Sequence, residues 1–184
     1  SAYTIFIRKL LNRDDAGTAI LMRYTLRLLT AQQYERASSM ICACEQIRKS
    51  HTDLFGDNTI SIGLWVGSAT TPNKMKDAVK AYEDLYNKRS DENPFVILKC
   101  PWSGAQMGLV KMKNGGRRLP GYSKRIEKNR QKTFKFVCSN TANHCDFSSE
   151  KNPLPLHVVD EVIYEVKPTL LLGTVDKFAM LPFR

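Results

Sequence analysis

Two groups of residues in this chain have side chains and spacings that could do chemistry. The first is built on cysteine. Lys99-Cys-Pro-Trp-Ser-Gly104 follows the β-forming run Phe95–Leu98, and Cys138-Ser-Asn-Thr-Ala-Asn-His-Cys-Asp-Phe147 follows Phe134–Val137. Two short strands that end in cysteine turns describe a zinc ribbon, where thiolates from facing turns hold together a segment too small for its own core. The usual first turn is C-P-x-C-G, and here Ser103 occupies the second cysteine's place. Three thiolates remain as metal ligands, Cys100, Cys138 and Cys145. His144 is the candidate for the fourth position, although it adjoins Cys145 and its ring can point away from a shared ion. A ribbon shape that has lost its metal, and cysteines unrelated to one another, are the alternatives these residues leave open. Cys42 and Cys44, two apart in a helical stretch, face different sides and read as core or surface residues rather than ligands.

The second group pairs hydroxyls with cations at two strand-to-helix corners. Arg23, Thr25 and Arg27 follow the apolar run Thr18–Met22, and Gln33 lies further along the helix that begins there. Thr174 and Lys177 follow the run Thr169–Gly173 in the same layout. Ligands of open α/β sheets bind beyond the carboxyl ends of the strands. Hydroxyls, guanidiniums and free N–H groups at a helix start suit a phosphate. Two ordinary βα units with solvated cations are the plainer reading. Asp160-Glu161, after Leu156–Val159, invites comparison with the Mg²⁺-holding acidic motif of ATPases. No G-x-x-x-x-G-K-[ST] loop exists in the sequence to cradle phosphates, so no catalytic role is expected of that pair.

The elements that must position these groups follow from periodicity. Tyr3–Leu11 reads as the end of a helix and Asn12–Gly17 as a turn. The long helix after Thr25 places Leu26, Leu29, Ala37, Met40, Ile41, Cys44 and Ile47 near one face, with Arg27, Gln33, Glu35, Arg36 and Arg48 mostly elsewhere. Ile60–Val66 is a second strand, closed by Gly67. Thr71-Pro72 predicts a helix start, Thr as cap and Pro in the first helical position. Met75, Val79, Tyr82 and Leu85 or Tyr86 then line one face to about Asn87. Alternating helices and strands of this kind imply an α/β fold with a parallel sheet. The expected layout is α/β over 1–92, a zinc-ribbon-like β insertion over 93–152, and a return to α/β over 153–184.

Composition bounds the function. The chain has 184 residues, 42% hydrophobic and 25% charged, enough for one globular domain with an insertion. No apolar run reaches the length of a membrane span, and no signal peptide is evident. The first residue is Ser, so the chain reads as the middle of something longer. Five cysteines without an even, spread-out framework suggest the reducing cytoplasm. Ten Lys or Arg lie between Lys111 and Lys135 against the single acid Glu127, a net +9 of the chain's +10. A block of that kind reads as a mobile or extended basic arm, often drawn to nucleic acid, with a merely solvated loop as the plainer alternative.

Met22-Arg-Tyr-Thr-Leu-Arg-Leu-Leu-Thr-Ala-Gln-Gln33 and Pro168-Thr-Leu-Leu-Leu-Gly-Thr-Val-Asp-Lys-Phe-Ala179 resemble the first RecA-like domain (P-loop NTPase type) of superfamily 2 helicases. More narrowly, they are similar to the helicase component of bacterial DISARM anti-phage systems and its relatives. The resemblance makes Arg23–Gln33 motif Ia and Gly173–Lys177 motif Ib, which grip the backbone of the tracking strand. It implies that Arg23, Thr25, Arg27, Gln33, Thr174 and Lys177 contact nucleic acid, DNA rather than RNA. It also implies ATP and Mg²⁺ in the parent protein, with other defence-system subunits as partners. A G-K-T loop is expected before Ser1 and a D-E-x-H box after Arg184, so this stretch alone is expected not to hydrolyse ATP. The competing reading is a non-enzymatic adaptor, in which ribbon and arm dock on a protein or RNA and the α/β part is scaffold. If the motor reading holds, the two strand-to-helix corners, far apart in sequence, must meet in space, with Thr25 and Thr174 not buried under other protein.

Overall fold

The computed structural model describes residues 1–25, 27–67, 70–126, 132–140 and 145–179, with residues 27–29 described by their backbone. Leu26, the side chains of Arg27 and Leu29, and His144 therefore lie outside the described residues.

The α/β part opens with helix α1 (Ala2–Leu11), strand β1 (Ile20–Tyr24), the long helix α2 (Arg27–Ser50) and the single turn α3 (Thr52–Phe55). Strand β2 (Ile62–Trp65) and helix α4 (Met75–Tyr86) follow. Two small hairpins come next, β3 (Val110–Lys111) with β4 (Arg117–Arg118), and β5 (Tyr122–Ile126) with β6 (Lys132–Phe136). The chain then returns through β7 (Leu156–His157), α5 (Asp160–Val166), β8 (Leu170–Thr174) and α6 (Val175–Ala179). Strands β1, β8, β2 and β7 form one parallel sheet in that order. All residues of β8 and β2 are buried, as their unbroken apolar runs require of strands covered on both faces. Gly63 in β2 is a packing glycine, because a Cβ there would lie 2.8 Å from Pro168 Cγ and 3.0 Å from Leu171 Cδ1.

Helix α2 covers the sheet, but its buried stripe differs from the expected one. Tyr34, Ser38, Ile41, Cys42, Cys44, Glu45 and Arg48 are buried, whereas Ile47 is 47% exposed. Glu45 and Arg48 enter the core because each satisfies the other. Arg48 Nε and Nη2 donate to the two Glu45 oxygens at 2.8 Å, and Nη1 donates to Gly56 O at 2.8 Å. Glu45 Oε2 also accepts from Ile60 N at 2.8 Å. This pair ties α2 to the loop that leads into β2.

Three other expectations change. Helix α4 begins at Met75, not at Thr71-Pro72. The N–H groups of Asp160 and Glu161 donate to Pro72 O and Asn73 O, which holds that stretch as a loop. The Glu161 carboxylate then accepts from Met75 N at 2.7 Å and so caps α4 from another element. Phe95–Leu98 is not a strand. Val96 has φ +64, Phe95 N–H donates to Asn93 Oδ1, and Phe95 turns into an aromatic cluster with Phe134, Tyr122 and Phe136. Within 111–135, the described residues fold into hairpins rather than an extended arm. Five of their cations find acids outside the segment: Lys111 and Arg117 pair with Asp91, Lys124 and Lys132 with Glu83, and Arg125 with Glu150.

Candidate functional site

Because the four-stranded sheet is parallel, the carboxyl ends of its strands share one edge. Tyr24 lies opposite Thr174 in the β1–β8 register, and Trp65 of β2 lies opposite Gly173. The corners after β1 and β8 are therefore next-door neighbours, although about 150 residues of chain separate them. Gly173 permits the close approach: a Cβ there would come within 2.9 Å of Trp65 O and 3.0 Å of the Phe178 ring.

The sequence-predicted residues on this edge differ in availability. Arg23 and Thr25 are exposed, and Arg23 has no ion-pair partner among the described residues. Gln33 is half-buried on α2. Thr174 is buried, with its hydroxyl donating to Asp176 Oδ2 at 3.3 Å. Lys177 Nζ lies 2.8 Å from Asp160 Oδ2 and 5.7 Å from the centroid of the Trp65 ring. Asp160 is buried, and its second oxygen has no partner among the described residues. Sequence reasoning set Asp160 and Glu161 aside as non-catalytic and missed what they do instead: one neutralises Lys177, the other caps α4. Apolar residues followed by two acids at the start of a short helix signalled a first-turn placement, but the partners could come only from the tertiary fold.

The cysteines converge as the knuckle spacing predicts. The sulfurs of Cys100, Cys138 and Cys145 lie within 4.8 Å of one another, and all three residues are buried. Ser103 Oγ is 3.2 Å from Cys138 Sγ, while Ser103 N–H and Asn140 N–H point at Cys100 Sγ and Cys138 Sγ at 3.5 and 3.3 Å. Burial raises the Cys138 thiol, but the Ser103 hydroxyl and the Asn140 N–H outweigh it and bring the group below its ordinary value. Burial pushes Cys145 up to about 11. A tetrahedral zinc with thiolates at about 2.3 Å separates its sulfurs by roughly 3.8 Å. Three buried thiols within 4.8 Å, with backbone N–H groups aimed at two of them, fit such an ion. The Ser103 hydroxyl stands where a ribbon's remaining cysteine would. Helix α2 floors this cluster: Cys42 is buried, and the charges of Cys100 and Cys145 add to burial in raising its thiol. Lys49 of α2 lies 5.3 Å from the centroid of the Phe147 ring.

No protein-family model matches the chain. It is similar to DISARM protein DrmA of Bacillus paralicheniformis (strain ATCC 9945a / NCIMB 11709 / CD-2), with 38% identity over 173 residues. That alignment takes in 92% of this chain and 14% of the relative, so the chain spans about a seventh of that protein's length. Among the described residues no helix is long and apolar enough to cross a membrane.

Proposed function

We propose that this DISARM-related chain is the nucleic-acid-gripping part of an ATP-dependent superfamily 2 helicase or translocase that acts in anti-phage defence. The observation that carries the reading is the register of β1 with β8, which sets Tyr24 opposite Thr174 and so joins the two corners. A strand of DNA crossing this edge would meet Arg23 and Thr25 on one corner and Lys177 with the start of α6 on the other. Arg27 and Gln33 complete the path that the helicase resemblance assigns, while Thr174, buried with its hydroxyl on Asp176, shapes the β8 corner without reaching the DNA strand. Exposed Arg23 makes the first phosphate contact, and Lys177 joins when a phosphate competes with Asp160 for its ammonium. The contacts are ionic and to the backbone, so binding is salt-dependent and nearly indifferent to sequence.

On this reading the fold is a partial RecA-like domain, and ATP with Mg²⁺ binds elsewhere in a longer protein, whose domain movements pull on this grip. Other defence-system subunits are its partners. Cys100, Cys138 and Cys145 hold a structural zinc, with Ser103 or a water beside them, and the ion supplies cross-linking rather than catalysis. The test is binding of a fluorescent oligo-dT across a salt series. Arg23→Ala should weaken binding and flatten the slope of log K against log salt by about 0.7, the increment of one phosphate contact on single strands. An unchanged slope would remove Arg23 from the path.

A further inference from the structure

We infer that the grip continues away from the sheet edge into a second phosphate-binding groove, formed between the start of α4 and β6. The inference rests on the proposed function, since it extends the same strand's path. The groove is a cleft of about 490 Å³ whose walls carry Lys74 at the cap of α4, Lys76 and Lys80 from α4, and Lys132 from β6. Its two acids are already engaged. Glu83 faces Lys124 at 3.0 Å and Lys132 at 3.6 Å, and Glu161 accepts the Met75 N–H. Lys74, Lys76 and Lys80 are exposed, and their ammoniums have no ion-pair or hydrogen-bond partner among the described residues. Three unneutralised ammoniums along one cleft make a site for a polyanion with spaced charges. They sit at positions 74, 76 and 80, so they spread along the start of the helix instead of converging on one small ion.

Continuity with the corner identifies the polyanion. Lys177 binds Asp160, the next residue is Glu161, and Glu161 caps α4 beside Lys74 at the mouth of the groove. A sugar-phosphate backbone that leaves the β8 corner past Lys177 therefore meets the lysines of α4 next. The occupant assigned to the groove is the backbone of the same single strand. Base edges are not read there, because the lysine donors match phosphates and no aromatic ring among the described residues lines the cleft.

The test compares four proteins in the oligo-dT salt series: wild type, Arg23→Ala, the groove triple Lys74→Ala/Lys76→Ala/Lys80→Ala, and a control triple Arg13→Ala/Lys99→Ala/Lys151→Ala that loses equal charge elsewhere. All the substituted residues are exposed, and an unchanged unfolding midpoint verifies each fold. The groove triple should flatten the salt slope by about 2 and weaken binding about tenfold at moderate salt, with the control triple near wild type. A groove triple that behaves like the control, while Arg23→Ala still weakens binding, overturns the groove and leaves the corner standing. A groove triple that weakens binding while Arg23→Ala does not overturns the corner and the continuous path together. If neither variant differs from the control, both proposals fall.

Discussion

At the scale of single residues, titration separates His157 from the other charged groups of the fold. Burial pushes its ring down to about 4 from an ordinary 6.5, because the imidazolium would lose hydration between β6, β7 and α5. Glu161, Glu165 and Lys135 line the same cavity, and burial alone accounts for the lowered ring. Above pH 6.5 the ring is neutral in both folded and unfolded chains and has no effect on stability. As pH falls from 6.5 towards 4, the unfolded chain takes up a proton that the folded chain refuses, so stability drops across that window and levels off below it. The drop should be about 2 kcal/mol, less than the full shift would give because the ring is partly accessible. Urea unfolding of wild type and His157→Gln at pH 7 and pH 4.5 checks this. The variant should lose less stability on acidification, and equal losses would mean the ring titrates normally.

Among the elements, α2 binds the parts of the molecule together, and its grip on the loop before β2 depends on one buried ion pair. Glu45→Gln keeps an acceptor for Ile60 N–H but leaves the Arg48 guanidinium buried without an anion. Breaking a buried pair from one side costs about 3 kcal/mol or more, so a urea midpoint within experimental error of wild type would show that the pair is better hydrated than its burial indicates. The pair also marks where the sequence stops being legible. Strands β2 and β8 are readable as uninterrupted apolar runs, and the cysteine turns announce their own convergence. The burial of Glu45 and Arg48 is not readable, because each polar side chain is tolerated only through the other and through Gly56 and Ile60. Ile47 fits the helical period and still faces solvent, since the buried stripe passes through 41, 45 and 48. Phe95–Leu98 has β-forming residues, yet the left-handed turn at Val96 sends Phe95 into a ring cluster whose other members lie about 30 to 40 positions downstream. Lys177 could be placed on its corner from sequence, but its neutralising partner Asp160 could not, because only the fold brings α5 against α6.

For the whole molecule, the question is whether the cysteine-bearing segment is a separate module or part of one cooperative body. The packing favours one body. The larger hydrophobic core runs from Ile5 in α1 and Leu170 and Leu172 in β8, through Phe95, Phe134 and Phe136, to Cys138, Cys145 and Phe147, spanning both segments. Arg117 reaches across to Leu85 O and Ser90 O, and Leu154 N–H donates to Phe136 O. The two tryptophans report on different parts of the molecule, neither of them inside this core: Trp65 in a second, smaller cluster with Ile163 and Leu171, and Trp102 on the surface of the cysteine segment. Trp65 is buried in the sheet, edge-on to Tyr164 and Phe178. Trp102 is on the first cysteine turn, with its indole N–H donating to Asp146 Oδ2 at 2.9 Å and its ring edge-on to Phe147. With Trp102→Phe or Trp65→Phe, the remaining indole's fluorescence follows one part alone. Elemental analysis should find one zinc per chain, lost in the triple variant Cys100→Ser/Cys138→Ser/Cys145→Ser. Chelation should then lower the thermal midpoints seen by both indoles together, since a metal bound only in the native state stabilises everything that unfolds with it. If the Trp102 transition came several degrees before the Trp65 transition, the cysteine segment would be an independent unit. The proposed nucleic-acid corner would then be insulated from the proposed metal site.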